Sequence, residues 1–584
     1  MKLPLIAIIT FILSGLDLGF VLASECQLRS DRPQIYISDT HMGMGGKCED
    51  TESCVRGWHP MEDFRWSSDF SLFSDYLNQK YKNGFDLVVV GDMLELWQRQ
   101  SDEVEPCGIS GESNNLGCNA NQALARVKII ANAHQDIIKT IESFIDEGSN
   151  NKLIVVPGNH DAALMMNDVR LGFLNQFRSS PRKNICIQSS GILRLDRDTQ
   201  SILLEHGHQI EGDPNRYTNP VPPLNSVQCL NSKGKPSDCN AENAYIMRTW
   251  GENFVQSYFD DYEKQFSIID NYSFEPSGIP DGVKRGLSSA TLIEKKSAIT
   301  GLFAFLFAKQ TAKQFKGVMG NAEGKSLAGF CSKQLVLTAD QICLDRNTLN
   351  SSRATQSFIK ELPEEMRSTF DYLMNVFGME PSGEWLISDL YKTANDHAGV
   401  IDQTFLLICD YWRAKDTSQN SCHFIDKDGK LGGLFSKVKY GFLESVTGKE
   451  KLKLFNHIKK RFSEAGTSAK ETKIFIYGHT HKAERGTFTD HNTHFFNTGA
   501  WQRVASAEVI AEILRNCPLK DEAGVRLSEK QCFKAISPNE LPKCYSFVEH
   551  DIGNRLPELT WWFYSEFDEQ WVAVDHDDRP DFCR

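Results

Sequence analysis

Five short polar segments of the chain contain the side chains that transition metals prefer in proteins. The segments are Asp39-Thr-His41, Gly91-Asp92, Asn159-His160-Asp161, His206-Gly-His208 and Gly478-His479-Thr-His481. Carboxylate and amide oxygens combined with imidazole nitrogens suit manganese, iron or zinc. One such segment alone is more often a solvated turn or a helix cap. Five of them in one chain make that explanation insufficient, and together they predict a metal centre.

The first three segments offer oxygen ligands and a proton donor. Asp39 and His41 lie two residues apart, so both side chains can turn toward one ion. Asp92 can bridge two cations about 4 Å apart, and the glycine before it lets the backbone come close to them. Asn159 can offer a neutral amide oxygen, whereas His160 can protonate a leaving oxygen as a general acid.

The last two segments each contain two histidines on alternate positions. His206 comes directly after an apolar run and is the predicted ligand, whereas His208 is expected to contact the substrate or to support the ligands. His479 and His481 can address two ions, one each. The predicted centre therefore holds two divalent ions, with manganese, zinc and iron as the candidates.

Apolar runs of strand length precede all five segments. These runs are Gln34–Ser38, Asp86–Val90, Lys152–Val156, Ser201–Glu205 and Lys473–Tyr477. Helical apolar spacing lies between the early runs, at Ser67–Tyr81 and Ala120–Ile145. Further strand-like runs are His494–Phe496, Tyr545–Val548, Leu559–Tyr564 and Gln570–Val574. Strands that alternate with helices predict an α/β sandwich that positions the five segments at strand ends.

The chain has 584 residues, which exceeds the usual size of one hydrophobic core. Between about 212 and 470 the strand–helix alternation stops and helical patterns dominate. This predicts a mainly helical insertion in a core domain made of 24–211 and 471–584. Within the insertion, Ala298–Ala308 is apolar on all sides but too short to span a bilayer. It is either a buried helix or a lid near an apolar substrate.

The start of the chain and the cysteines indicate export. Residues 1–23 contain a lysine, an apolar run and a closing Val-Leu-Ala sequence, which is typical of a secretory signal peptide cleaved after Ala23. Asp17 interrupts the apolar run, so no transmembrane anchor is expected. All sixteen cysteines follow this segment, and without any C-x-x-C pair they predict disulfides rather than structural zinc. We therefore expect a secreted or periplasmic protein.

Composition and charge narrow the classes of partner. Hydrophobic residues make up 40% and charged residues 24% of the chain, which is ordinary for a folded globular protein. The net charge of −13 disfavours nucleic acid and anionic membrane surfaces as partners, because both are negatively charged and bind positively charged protein surfaces. Asn271 and Asn350 begin N-glycosylation sequons, which matter only if the source is eukaryotic.

The five segments, in this order, resemble the calcineurin-like metallophosphoesterase superfamily. Its pattern is Asp-x-His, Gly-Asp, Gly-Asn-His-Asp/Glu, a lone His and Gly-His-x-His, and the match covers roughly 33–211 and 472–503. The resemblance implies a four-layer α/β/β/α sandwich with His160 as proton donor and Glu95 as the acid that orients it. It also implies the metal ligands: Asp39, His41 and His481 on one ion, Asn159, His206 and His479 on the other, and Asp92 bridging both.

Two branches of that superfamily bear on the expected function. Purple acid phosphatases have a metal-binding tyrosine where this chain has Glu95, so a redox-coloured iron site is not expected. The segments Gly91–Trp97, Glu205–Asp213 and Phe496–Trp501 look closer to the UDP-2,3-diacylglucosamine hydrolase-like branch, whose enzymes act on a membrane lipid in the cytoplasm. Because this chain has an export signal, we carry over that branch's site and not its substrate.

The resemblance implies a phosphoesterase, and the export signal implies that it acts outside the cytoplasm. A metal-bridging hydroxide would hydrolyse a phosphomonoester or phosphodiester by in-line attack. One alternative is a lipid-directed phosphodiesterase or pyrophosphatase, suggested by the apolar stretch Ala298–Ala308. The other is a secreted binding protein that keeps the fold without catalysis.

Overall fold

The computed structural model describes residues 26–583 with gaps, of which the largest covers 273–447. The shorter gaps are 46–57, 102–103, 110–115, 148–150, 198, 211–212, 214, 218–226, 250, 253–254, 257–259, 265, 468–470, 490–491, 522 and 554–555. The predicted signal peptide, the apolar stretch Ala298–Ala308 and the Asn350 sequon lie outside the described residues, as does most of the predicted insertion.

A seven-stranded mixed sheet is the larger sheet of this α/β fold. Four of its strands are parallel neighbours, and three antiparallel strands extend it on one side. In spatial order the strands are β15 (Gln570–Asp575), β14 (Glu558–Ser565), β13 (Cys544–His550), β1 (Gln34–Ile37), β2 (Asp86–Val90), β4 (Lys152–Val156) and β5 (Ile185–Ile187). Every strand predicted in this region is confirmed to within two residues at each end.

A five-stranded sheet contains the remaining predicted strands. Its three central strands are parallel, and each edge strand is antiparallel to its neighbour. In spatial order the strands are β11 (Ala483–Phe488), β12 (Thr493–Thr498), β10 (Thr472–Tyr477), β7 (Gln200–Glu205) and β6 (Ile192–Arg197). The predictions at Ser201–Glu205, Lys473–Tyr477 and His494–Phe496 are thereby confirmed.

The two sheets share one hydrophobic core. Side chains of a strand alternate between its two faces, and Tyr36, Val88 and Ile154 of the larger sheet join Ile202 and Ile474 of the smaller one in a single buried cluster. The opposite face of the larger sheet belongs to a second cluster, which includes residues from its covering helices. Each sheet is therefore apolar on both faces, which explains why the central strands read as nearly continuous apolar runs.

Among the helices that contribute to the second cluster on the outer face of the larger sheet, three have 13 or 14 residues. They are α1 (Ser67–Lys80), α2 (Ala120–Ala133) and α3 (Gln135–Glu147). A capping box of Asn119 and Gln122 starts α2, which satisfies backbone groups that the first turn leaves free. The helical spacing over Ala120–Ile145 corresponds to two helices, because His134 leaves helical geometry and separates α2 from α3.

The remaining helices are short, apart from one near the end of the predicted insertion. They are α4 (Asn167–Leu174), α5 (Ser179–Arg182), α6 (Asp260–Glu263), α7 (Gly448–Glu464), α8 (Ala507–Arg515) and α9 (Glu529–Ala535). Leu454, Ile458 and Phe462 of α7 pack on Leu203 and Phe475 of the five-stranded sheet. This helix lies before the predicted boundary at residue 470, yet it belongs to the packing of the core.

The described start of the predicted insertion contains strands as well as helix. Strands β8 (Val227–Cys229) and β9 (Ala244–Met247) form an antiparallel three-stranded sheet with β3 (Leu116–Asn119). This small sheet joins the predicted insertion to the core domain. The prediction of a mainly helical insertion over 212–470 stays a prediction, because most of that segment lies outside the described residues.

Disulfides connect all ten cysteines in the described part of the chain. The pairs are Cys26–Cys186, Cys107–Cys118, Cys229–Cys239, Cys517–Cys532 and Cys544–Cys583. The prediction of disulfides is confirmed for these residues. Of the helices described, none combines the length and the apolar character needed to cross a bilayer.

One of the two glycosylation sequons is inaccessible in this fold. The Asn271 side chain is fully buried, and its amide nitrogen donates a hydrogen bond to the carbonyl oxygen of Arg503. The folded protein leaves no room for a glycan there.

Candidate metal centre

The five polar segments follow strands whose carboxyl ends meet. Strands β1, β2 and β4 are parallel neighbours in one sheet, and β7 and β10 are parallel neighbours in the other. Parallel neighbours end at the same edge of a sheet, so the loops that follow them lie side by side. This topology brings together the residues for which the sequence predicted roles: Asp39, His41, Asp92, Glu95, Asn159, His160, His206, His479 and His481.

The backbone of these loops adopts a conformation that most residues avoid. Asp39, His41, Asp92, His479 and His481 all have positive φ angles, between 44° and 73°. Only two other non-glycine residues of the described chain, both outside the site, share this property. Left-handed backbone is uncommon outside glycine, and such strained positions cluster at functional sites. The turns therefore aim side chains at a shared point at some cost to local stability.

Glycines let these turns approach one another. Gly91 has a φ of 91°, and a Cβ atom on it would overlap the His206 ring. A Cβ atom on Gly478 would overlap Ser38 and the Asp39 carboxylate. These glycines serve the close packing of loops rather than flexibility.

The first group of candidate ligands consists of Asp39, His41 and His481. His481 Nε2 lies 3.4 Å from Asp39 Oδ1 and 3.2 Å from His41 Nε2. His41 Nε2 is 3.7 Å from the same Asp39 oxygen. Three ligand atoms of different residues thus face one small volume, and this group could hold a metal ion. The predicted ligands of the first ion are brought together.

The second group consists of Asp92, His206 and His479, and it too could hold an ion. His206 Nδ1 faces the carbonyl oxygen of Val90 at 2.9 Å, so Nδ1 donates its proton to that oxygen and Nε2 is the nitrogen that could bind an ion. Nε2 lies 2.7 Å from Asp92 Oδ2, yet outside hydrogen-bond geometry. Asp92 and His206 both belong to the group of residues that could hold one ion.

Asn159 is fully buried, and neither atom of its amide has a hydrogen-bond partner among the described residues. A buried amide without hydrogen-bond partners costs free energy, so we expect the Asn159 amide to bind a ligand. The amide oxygen of Asn159 could be a further ligand of a metal ion bound by the second group.

The two groups are adjacent and share carboxylates. Asp39 Oδ1 lies 3.7 Å from His206 Nε2 of the second group. Asp92 Oδ2 lies 3.8 Å from His41 Nε2 of the first group. This arrangement fits the prediction that Asp92 serves both ions, and Asp39 has a comparable position between the groups.

His160 lies beside the two groups and is held on three sides. Its Nδ1 makes a short contact with Glu95 Oε2, and its backbone N–H donates to Asp92 Oδ1 over 2.9 Å. The Trp97 ring stacks on its imidazole at 3.8 Å between ring centroids. Glu95 is fixed in turn, because its Oε1 accepts hydrogen bonds from the backbone N–H groups of Trp97 and Gln98. The predicted contact between Glu95 and His160 is present.

Electrostatics couples the carboxylates to the imidazoles. Burial lowers the pKa of His206, but Asp92 and Asp39 outweigh it and raise that pKa to about 9. Burial raises the pKa values of Asp39 and Asp92, and neighbouring histidines outweigh it and hold both below their usual range. The opposite charges compensate one another within the protein. Because metal ligands must be deprotonated, an ion that bound here would displace protons from these histidines.

His208 is also at the site, next to two of the candidate ligands. It is 3% exposed, and its ring centroid lies 5.6 Å from that of His206 and 6.2 Å from that of His479. Burial lowers its pKa well below the ordinary value. The two roles that the sequence left open for His208, contact with a substrate and support of the ligands, both stay predictions.

Several residues shape the site although the sequence suggested no role for them. Asp161 accepts hydrogen bonds from the backbone N–H groups of Gly158 and Met93, and it thereby ties the loop after β4 to the loop after β2. Asn497 Nδ2 donates to the carbonyl oxygen of Gly478 and to Thr480 Oγ1, which fixes the turn that carries His479 and His481. Asp161 and Asn497 stood in the quoted motifs, but only the tertiary contacts reveal their partners.

No protein-family model, curated protein or solved structure matches this chain.

Proposed function

We propose that this chain is an exported, two-metal phosphoesterase of the calcineurin-like superfamily that hydrolyses a phosphomonoester or a phosphodiester. The observation that carries the proposal is the convergence of six of the seven predicted ligands, from four separate segments, into two adjacent groups beside His160. The seventh, Asn159, precedes His160 in the fifth segment and is fully buried. A metal-free fold has little reason to bury this set of charged and unsatisfied groups at one edge.

The packing of the elements supports the four-layer sandwich that goes with this family. One buried cluster contains residues of both sheets, a second joins the larger sheet to α1, α2 and α3, and a third joins the smaller sheet to α7. These contacts are the ones expected of a sandwich with the layers helix, sheet, sheet and helix.

The donor set fits two divalent transition metals. It combines two carboxylates, one amide and four imidazoles, which are the ligands that manganese, iron and zinc accept. Two bound ions would supply Lewis acidity, which activates water and neutralises charge on a phosphoryl group. The first group would hold one ion with Asp39, His41 and His481, and the second the other with Asn159, His206 and His479.

The residues around the ions would bind and protonate the substrate. The His160 side chain is 16% exposed, which is more than any of the four histidine ligands. Glu95 faces its Nδ1, so Nε2 is the nitrogen that can hold a proton for the leaving oxygen. Trp97 covers one face of the ring and excludes water from it. His160 thus has the position of a general acid.

Export is supported by the five disulfides among the described residues, since disulfides persist in oxidising compartments. A substrate outside the cytoplasm follows from this location.

A combined metal and activity assay tests the proposal. The purified full chain is analysed for bound metals and assayed with p-nitrophenyl phosphate, its bis-ester and detergent-solubilised phospholipids, with added manganese, zinc or iron. We expect about two ions per chain and hydrolysis of the phosphate esters that a chelator abolishes. Turnover of lipids alone would favour the lipid-directed alternative. Absence of both bound metal and metal-stimulated activity would favour the binding protein.

A further inference from the structure

Asp213 is a carboxylate at the metal centre that lies outside both groups of candidate ligands. It follows β7 and His206 along the chain, and its Oδ2 lies 2.8 Å from Nε2 of His479. Its Oδ1 accepts a hydrogen bond of 2.8 Å from the backbone N–H of Asn215. Both oxygens are therefore engaged, and the local turn holds the carboxylate in place before any ligand binds.

The contact decides which nitrogen of His479 is available for a metal ion. A neutral imidazole has one protonated nitrogen and one lone pair. If Nε2 donates its proton to Asp213, the lone pair lies on Nδ1. We propose that Asp213 is a positioning residue that fixes the tautomer and the ring orientation of His479 as a ligand of the second ion. This inference rests on the proposed two-metal function.

Two other histidines among the candidate ligands show the same construction with different acceptors. His206 Nδ1 faces the carbonyl oxygen of Val90 at 2.9 Å, and His41 Nδ1 faces Glu95 Oε2 at 3.3 Å. Each of these rings has an oxygen acceptor on one nitrogen and the metal group on the other. Histidine ligands commonly donate their second N–H to a carboxylate or carbonyl, which raises their basicity. Asp213 provides this partner for His479.

The position of Asp213 also argues against a role limited to the surface. Its side chain is 17% exposed and that of His479 is 11% exposed, so water only partly screens the pair. The backbone N–H of His479 is bound to Asp39 Oδ2 at 2.9 Å. The main chain and the ring of His479 are thus tied to two different carboxylates, and only the Asp213 contact can select the ring nitrogen.

Metal titration of the full chain, with Mn²⁺ as the probe, tests this role. Metal-free wild type, Asp213→Asn, Asp213→Ala and the exposed control Asp578→Asn are titrated in competition with a chromophoric chelator. Asp213→Asn removes the charge but keeps an oxygen that can accept the hydrogen bond from the backbone N–H of Asn215. Comparison with Asp213→Ala therefore separates the loss of the charge from the loss of this turn. Circular dichroism of each variant checks the fold.

We expect wild type and Asp578→Asn to bind two ions. The Asp213 variants should bind one ion as wild type does and the other about 10- to 100-fold more weakly, which is the usual cost of losing such a partner. In a His479→Ala background, Asp213→Asn should add no further loss, because the two residues act as one unit.

Three results would overturn the role. They are unchanged affinity for both ions in Asp213→Ala, equal weakening of both ions, and an undiminished effect of Asp213→Asn when His479 is absent. A wild-type protein that binds no ion would instead refute the two-metal function itself.

Discussion

The parallel and antiparallel halves of the seven-stranded sheet differ in where their strands end. In the parallel half, β1, β2 and β4 all end at one edge, and the predicted ligands follow these ends. In the antiparallel half, β13, β14 and β15 alternate in direction, so their ends are divided between two edges. Only the parallel half can collect loop residues from several strands at one point.

The side chains of the two halves differ accordingly. The antiparallel half buries aromatic rings: Trp562 stacks on Trp571 at 3.9 Å and packs against Phe73 at 5.2 Å between ring centroids. A disulfide between Cys544 and Cys583 closes this half. The parallel half instead buries charges and left-handed backbone at its polar edge. We infer that the antiparallel half chiefly stabilises the fold, whereas the polar edge of the parallel half lowers stability and serves the function.

The largest expected effect is that of Asp92→Asn at the polar edge. Because Asp92 faces both groups of ligands, we expect both ions to be lost and activity to fall nearly to zero, while circular dichroism shows an intact fold. Metal analysis and p-nitrophenyl phosphate hydrolysis measure the effect. Asp86→Asn is the matched control, since Asp86 is a buried aspartate at the opposite end of the same strand and pairs with Arg32 at 3.1 Å. It should retain both ions, and loss of metal there would mean that the effect is not local to the edge.

His160→Asn should separate catalysis from metal binding within the same edge. We expect unchanged metal content and a fall in kcat of about 10²- to 10⁴-fold, the usual contribution of a general acid. His494→Asn, on β12 and outside both groups, serves as the control and should leave kcat unchanged. A His160 variant that had also lost its ions would contradict the assignment of His160 as proton donor.

The central strands and their polar ends were predictable from the sequence for a simple reason. Apolar runs such as Asp86–Val90 and Lys152–Val156 are buried on both faces and end at Gly91 and Pro157. The apolar pattern and the following glycine or proline therefore indicate the same strand end. The break at His134 was not predictable, because the apolar spacing continues from α2 into α3.

Residues that act through long-range contacts also escaped prediction. Asp213 meets His479, and Asn497 orders the turn after β10, only because β7, β10 and β12 are neighbours in the five-stranded sheet. Both residues stand in segments that carry the family resemblance, but their local sequence does not identify the distant groups that they contact. The burial of Asn271 is a further case, since a sequon carries no information about packing.

The smallest effect on function is expected from Trp562→Ala in the antiparallel half. Trp562 is 1% exposed, so its removal leaves a cavity and should lower the free energy of unfolding by about 3–5 kcal/mol. Trp561→Ala is the matched control on the opposite face of β14, where the side chain is half-buried and a smaller loss is expected. Urea titration measures both variants. Metal content and kcat of the folded fraction should stay at wild-type values, because the aromatic packing does not contact the ligands. A large change in kcat for Trp562→Ala would show that the two halves are coupled, and the division of roles between them would have to be abandoned.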